Sequence, residues 1–356
     1  MTALWGILAV VLLVALLFAL FKRVRPVWVK LLLIVVILLG LGFSLFKFVF
    51  PMNEGPSPTG PYAVRTERVF YTHQTAIPQM ATAGSNREVP VSLWLPEGTG
   101  GEHALVIFSH GSFGIEESNP SLFNDLASNG YVVASLGHPH HSFTTTLSDG
   151  TRANLDWGFF QEVVGSKGAE DASALFAEFN KWKSVRVEDI SFALDSLLAD
   201  ENYAGAIDEG QVFLAGHSLG GSAALEVGRA RSGDVQGVIA LESPYFGDIT
   251  GVEGNRFVFT DEEYPVPVLH FYSDALWGKL EEITTYEMNQ RLLEAGDDRF
   301  VNVHVEGSGH IGLSELSLSS PLLTNLFDEG LNTRDAFERV SQINAATLDF
   351  LDAHTK

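Results

Sequence analysis

The sequence predicts an α/β architecture, a mostly parallel central sheet flanked by helices, preceded by two transmembrane helices. Three observations carry this. Short apolar runs rich in β-branched residues alternate with amphipathic segments beyond about residue 104, the rhythm of βαβ units. Gln211 to Arg231 passes from an apolar run through Gly216-His217-Ser218-Leu219-Gly220-Gly221 into an Ala-rich segment, the strand, sharp turn and helix of a nucleophile elbow. The first fifty residues hold two long apolar runs and no acidic residue.

Thr2 to Phe21 is uncharged and long enough to cross a bilayer core as a helix. Leu31 to Phe46 is shorter, but Val27-Trp28-Val29 and Phe48-Val49-Phe50 extend it, and the stems of Lys30 and Lys47 can reach the interface. Between the runs, Lys22-Arg23-Val24-Arg25-Pro26 is a basic turn that the positive-inside rule assigns to the cytoplasm. Residues 1–50 therefore read as a membrane hairpin with both ends outward, rather than a cleaved signal peptide, which would carry a basic segment first and a small-residue cleavage site. Pro51 to Pro61, rich in Pro, Gly and Ser, reads as a solvated linker.

The domain is expected over residues 62–356. Ala63–Tyr71 and Val89–Leu95 alternate as an opening antiparallel pair, and Ala104–Phe108 fits a buried parallel strand ending in Ser109-His110-Gly111-Ser112-Phe113-Gly114. Ser121–Asn129 reads as a helix stopped by Gly130, and Tyr131–Leu136 as the next strand. Residues 142–183, polar and then studded with Trp157, Phe159, Phe160, Phe176, Phe179 and Trp182, fit either a cap over a pocket or ordinary helix packing. Val185–Leu198 is amphipathic at helical spacing. After the elbow, Gly237–Leu241, Val266–Tyr272 and Phe300–Val305 are further strands, and Arg334–Ala353 is a final helix.

Composition excludes several functions. The net charge is −22, with 44 acidic residues all beyond residue 50, so the domain repels nucleic acid. With no Cys, disulfides, thiolate metal sites and a Cys nucleophile are all ruled out. His138, His140 and His141 lack a carboxylate at ligand spacing, so no metal is expected there, and no cofactor elsewhere.

A serine hydroxyl attacks an ester only when a base takes its proton, a carboxylate orients that base, and N–H groups receive the oxyanion. Ser218 sits at the elbow tip, and His310 in Glu306-Gly-Ser-Gly-His310 follows the last strand, as the chain order nucleophile, acid, base requires. His217 flanks the nucleophile but leaves the elbow in another direction, and reads as a packing residue. The acid is either Glu242 or Asp274, each after a strand; the commoner α/β-hydrolase arrangement uses the later position and favours Asp274. The oxyanion donors are the N–H groups of Leu219 and, most simply, Ser112.

The segments Phe108-Ser-His-Gly111, Asp125–Ala134, Gly216-His-Ser-Leu-Gly-Gly221, Val238-Ile-Ala-Leu-Glu242, Phe271-Tyr-Ser-Asp274 and Gly307-Ser-Gly-His310 resemble, in order and spacing, the plasma-type platelet-activating factor acetylhydrolases and their bacterial relatives. That family comprises serine esterases of the α/β-hydrolase fold that act as calcium-independent phospholipases A2. The resemblance implies Ser218 as nucleophile, His310 as base, Leu219 and Ser112 as oxyanion donors, and moves the acid to Glu242, where the family has Asp. It implies lipid or short-acyl esters as substrates; the hairpin is not part of that family's enzyme domain, and by the positive-inside rule it would hold this domain outside the cytoplasm. Non-lipid or polyester substrates, or a catalytically silent binding module, are the competing readings.

Overall fold

The computed structural model describes residues 2–355. Helices α1 (Thr2–Phe21) and α2 (Val27–Val49) occupy the two apolar runs, and both are long and apolar enough to cross a membrane. They pack antiparallel: Trp5 meets Phe43 edge to face at 5.5 Å, and Gly40 lets Leu12 approach closely. Small residues allow that approach, while Phe21, Leu39 and most other apolar side chains of the pair point outward.

The domain opens with β1 (Ala63–Gln74), β2 (Asn86–Glu97), β3 (His103–Ser109), α3 (Pro120–Ser128) and β4 (Val132–Leu136). A small hairpin of β5 (Thr144–Thr146) and β6 (Arg152–Asn154) leads to α4 (Trp157–Gly165) and the long α5 (Ala172–Ala199). Next come β7 (Ile207–His217), α6 (Leu219–Ala230), β8 (Val235–Leu241), a second hairpin of β9 (Ile249–Glu253) and β10 (Arg256–Phe259), β11 (Val268–Ser273), α7 (Glu287–Ala295) and β12 (Phe300–Val305). Helices α8 (Leu316–Ser319), α9 (Pro321–Phe327) and α10 (Ala336–His354) complete the order.

The main sheet has eight strands in the order β1-β2-β4-β3-β7-β8-β11-β12. Pairs β1–β2 and β2–β4 are antiparallel and every later pair is parallel. Apart from the edge strand β12, the parallel strands are buried on both faces over most of their length, which is why they read as apolar runs. One face packs on α5 and α6 through Leu194, Leu197, Ala223 and Leu225; the other packs on α3 and α10 through Phe123, Leu126, Ile343 and Leu351. Register aligns Ser109 with Gly216, His217 with Leu241, and Leu241 with Phe271. The carboxyl ends of four strands therefore form one row, the usual location of function in such sheets.

Two expectations change. Residues 51–61 are irregular but not a free linker: Met52 and Asn53 donate N–H bonds to the carbonyls of Ser319 and Leu318, and Thr59 donates twice to Asp125 at 2.7 Å. The last carbonyls of α8 and the carboxylate on α3 need donors, and this segment supplies them. Helix α5 begins at Ala172, well before Val185, because Asp171 caps it through the N–H groups of Ser173 and Ala174 and because Phe179 and Trp182 are buried. Three of the aromatic residues of 142–183, Phe159, Phe179 and Trp182, are thereby core: Phe179 stacks on Phe246 at 4.0 Å, and Phe159 stacks on His141 at 3.8 Å. Phe160 instead lies 5.2 Å from Phe113, in the turn after β3, with exposed Trp157 stacked on it.

Candidate active site

The turn from β7 into α6 is set by glycines. Ser218 has φ 53° and ψ −124°, a conformation that costs about 1–3 kcal/mol for a residue with a Cβ. It persists because the turn is crossed at close range on every side. A Cβ on Gly216 would lie 2.6 Å from the Gly220 carbonyl carbon, one on Gly220 would lie 2.0 Å from the Ser109 carbonyl oxygen, and one on Gly221 2.0 Å from the Ser243 hydroxyl. The N–H of Ser218 donates to Leu241 at 2.9 Å, so the strained residue is also tied to β8.

At the end of β8, Glu242 has φ 48° and is 1% exposed. Its Oε2 accepts the N–H of Ser273 at 2.5 Å and its Oε1 accepts the Nδ1–H of His310 at 2.9 Å. With that proton on Nδ1, Nε2 of His310 is a free base, and it accepts the Ser218 hydroxyl at 3.0 Å. Ser218, His310 and Glu242 thus form one continuous relay. Asp274 lies outside it: its carboxylate accepts from His304 Nε2 at 2.8 Å and from the Gly307 N–H at 3.0 Å.

The His310 segment is held by groups the sequence reading did not single out. Asp328, at the end of α9, accepts the N–H groups of Ile311 and Gly312, both at 2.9 Å. Arg339 donates to the Gly312 carbonyl at 3.1 Å. His217, read as a packing residue, is buried and donates its Nε2–H to the His310 carbonyl at 3.0 Å. Burial, and then the neighbouring His310, lowers its pKa to about 3, so it stays neutral. No sequence signal marks Asp328, which is 18 residues beyond the base and meets it only through backbone.

The turn after β3 carries Ser112 beside the elbow. Its N–H groups are partly committed, that of Phe113 to the His141 carbonyl at 3.2 Å and that of Gly114 to Gly111 at 3.1 Å. Behind it lies a buried polar network. His138 bridges the Ser109 hydroxyl at 2.9 Å and Asp189 at 2.7 Å, and Arg87 forks onto both oxygens of Asp189 at 2.6 and 2.7 Å. Burial lowers the His138 pKa to about 3, so His138 is a neutral structural element of this network.

Comparison with known proteins bears on the fold and the family resemblance. The family model described as platelet-activating factor acetylhydrolase, isoform II, matches residues 62–199, which include the β3 turn and end before the elbow. A platelet-activating factor acetylhydrolase of Cavia porcellus is 26% identical over 157 residues, covering 39% of this chain and 35% of that protein. A protein of Arthroderma benhamiae described as a probable 1-alkyl-2-acetylglycerophosphocholine esterase is 24% identical over 180 residues, covering 50% and 38%. The chain spans little more than a third of the length of these relatives. Among solved structures, a ferulic acid esterase from Streptomyces cinnamoneus superposes with a TM-score of 0.64 at 19% identity, over 85% of this chain and 93% of that one. A dienelactone hydrolase-like promiscuous phosphotriesterase from metagenomic libraries gives 0.52 at 14%, over 82% and 99%. The fold is that of the α/β-hydrolases, and the resemblance to platelet-activating factor acetylhydrolases stands on the family and relative matches.

Proposed function

We propose that this chain is a membrane-anchored serine hydrolase of carboxylic esters, with lipid or short-acyl esters as substrates. The observation that carries the reading is the unbroken relay from the Ser218 hydroxyl through His310 to the buried carboxylate of Glu242. His310 Nε2 takes the hydroxyl proton as Ser218 Oγ bonds to the ester carbonyl carbon, and Glu242 stabilises the imidazolium that results. The carbonyl oxygen, now negative, accepts from the N–H groups of Leu219 and Ser112, worth about 3–4 kcal/mol per donor in comparable sites. Collapse expels the alcohol, which takes the proton from His310, and leaves Ser218 acylated. Water, deprotonated by the same histidine, then releases the acid.

The lipid preference draws its support from the names of the matched relatives and from the two apolar helices beside the domain. On this reading α1 and α2 cross the membrane, the basic turn Lys22–Pro26 is cytoplasmic, and the domain is outside. The test is covalent. A fluorophosphonate probe should label the native protein and not Ser218→Ala, and turnover should extend to phospholipids with a short sn-2 chain. Equal labelling of both proteins would overturn the reading.

A further inference from the structure

We propose that Arg186 is a positioning residue for the oxyanion turn, holding and polarising the peptide groups whose N–H groups face the substrate. The proposal rests on the assignment of Ser112 as an oxyanion donor. Arg186 projects from the middle of α5 and is 0% exposed. Its Nη1 donates to the His110 carbonyl at 3.0 Å, its Nη2 to the Gly111 carbonyl at 3.4 Å, and its Nε to His141 Nδ1 at 3.4 Å.

Two features of covalent structure make these contacts consequential. The carbonyl of Gly111 and the N–H of Ser112 belong to one planar peptide. A cation on the oxygen of that unit fixes its plane and, through polarisation, strengthens the N–H at the other end. The same oxygen also accepts from His110 Nδ1 at 2.7 Å, and His110 is oriented by the Ser142 hydroxyl at 2.9 Å from its Nε2. The His110 carbonyl, in turn, lies where a Cβ on Gly220 would approach within 2.4 Å, so Arg186 and the first turn of α6 grip it from two sides. Arg186 also reaches the far side of the turn, because the His141 it touches supplies the carbonyl that takes the Phe113 N–H.

The energetics argue that this is more than filling. A buried guanidinium is costly unless a carboxylate pairs with it directly. Among the described residues Arg186 has no such partner: Asp189, one turn along α5, is engaged by Arg87 and His138. Asp189 acts on Arg186 through space without bonding to it, so the guanidinium directs its hydrogen bonds to two peptide carbonyls and a histidine at the row of strand ends. Burial brings its pKa down to about 9, which leaves it cationic at neutral pH.

The experiment compares the full-length native protein with Arg186→Met and Arg186→Lys, using p-nitrophenyl acetate, with rates normalised to Ser218 sites titrated to completion by fluorophosphonate. Arg186→Met should lose about 10- to 100-fold in kcat, less than a direct donor deletion, with KM within threefold. Arg186→Lys, which keeps the charge, should recover part of that loss, and a trifluoromethyl ketone, which binds as an oxyanion, should weaken in proportion to kcat/KM in both. A kcat per site within twofold of native in Arg186→Met, or in the uncharged Arg186→Gln where Arg186→Met does not fold, overturns the proposal, as does a loss carried by KM. A native protein without Ser218-dependent turnover overturns the function and this inference together; native turnover with an unaffected Arg186→Met overturns the inference alone.

Discussion

Asp274 accepts a hydrogen bond from His304 Nε2 at 2.8 Å, so the carboxylate at the end of β11 is engaged by a residue of the neighbouring strand β12 rather than by His310. The carboxylate that meets His310 is that of Glu242. Replacing Glu242 with Gln is expected to lower kcat by about 10³- to 10⁴-fold with the fold intact, because the wrong tautomer of His310 is then favoured. Asp274→Asn should stay within about threefold of native and lose at most about 1 kcal/mol of stability, as its partner is partly exposed. Steady-state kinetics with melting curves check both, and the reverse ranking would refute the assignment of the acid.

Acid should destabilise the domain through histidines that fold neutral. His270 is buried on β11, its Nε2 accepts the Ser243 N–H at 3.1 Å, and burial lowers its pKa to about 3. In the unfolded chain it titrates near 6.5. As pH falls from about 6.5 toward 3, the unfolded state binds a proton that the folded state refuses, so stability present above 6.5 is lost at about 1.4 kcal/mol per pH unit for this group. His270→Asn should remove about one proton from the uptake on unfolding at pH 5, measured by denaturant titration across pH 4.5–7. An unchanged slope would rule out the neutral buried state.

The absence of cysteine makes the membrane arrangement directly readable. Glu54→Cys should react with an impermeant maleimide on intact cells, and Arg23→Cys only after permeabilisation. The reverse pattern would place the domain in the cytoplasm.

Legibility followed the range of the forces involved. Strands β3, β7 and β8 show in the sequence as apolar runs because burial on both faces acts on most of their residues, and the elbow shows because close backbone approach requires its glycines at fixed spacing. The start of α5 was obscured because its first half alternates polar residues with aromatics that pack on Phe246 and Phe257, partners invisible until the chain folds. The β9–β10 hairpin and the three-residue strands β5 and β6 are too short for periodicity to register. Arg186, Asp189 and Asp328 escaped for a different reason. Each acts through backbone groups or through residues far along the chain, as Arg87 does on Asp189 across 102 positions, and a lone charged residue in a helix usually means solvent.

The relay is built on two bodies. Ser218 and Glu242 ride on the single unit β7-α6-β8, and the Ser218 N–H is bonded to the last residue of β8, so the serine and the glutamate are fixed to one another. His310 rides on another segment, gripped through Ile311 and Gly312 by Asp328 at the end of α9. The opposite end of α9 starts at Ser320, whose hydroxyl donates to the Val49 carbonyl in the last turn of α2 at 2.6 Å. Asp328 is thus one of the groups that fix His310 relative to Ser218, beside His217 and Arg339, and a short chain of contacts runs from it through α9 to α2. Removing α1 and α2 is expected to leave Ser218 and Glu242 in register and to be felt first in the segment that carries His310.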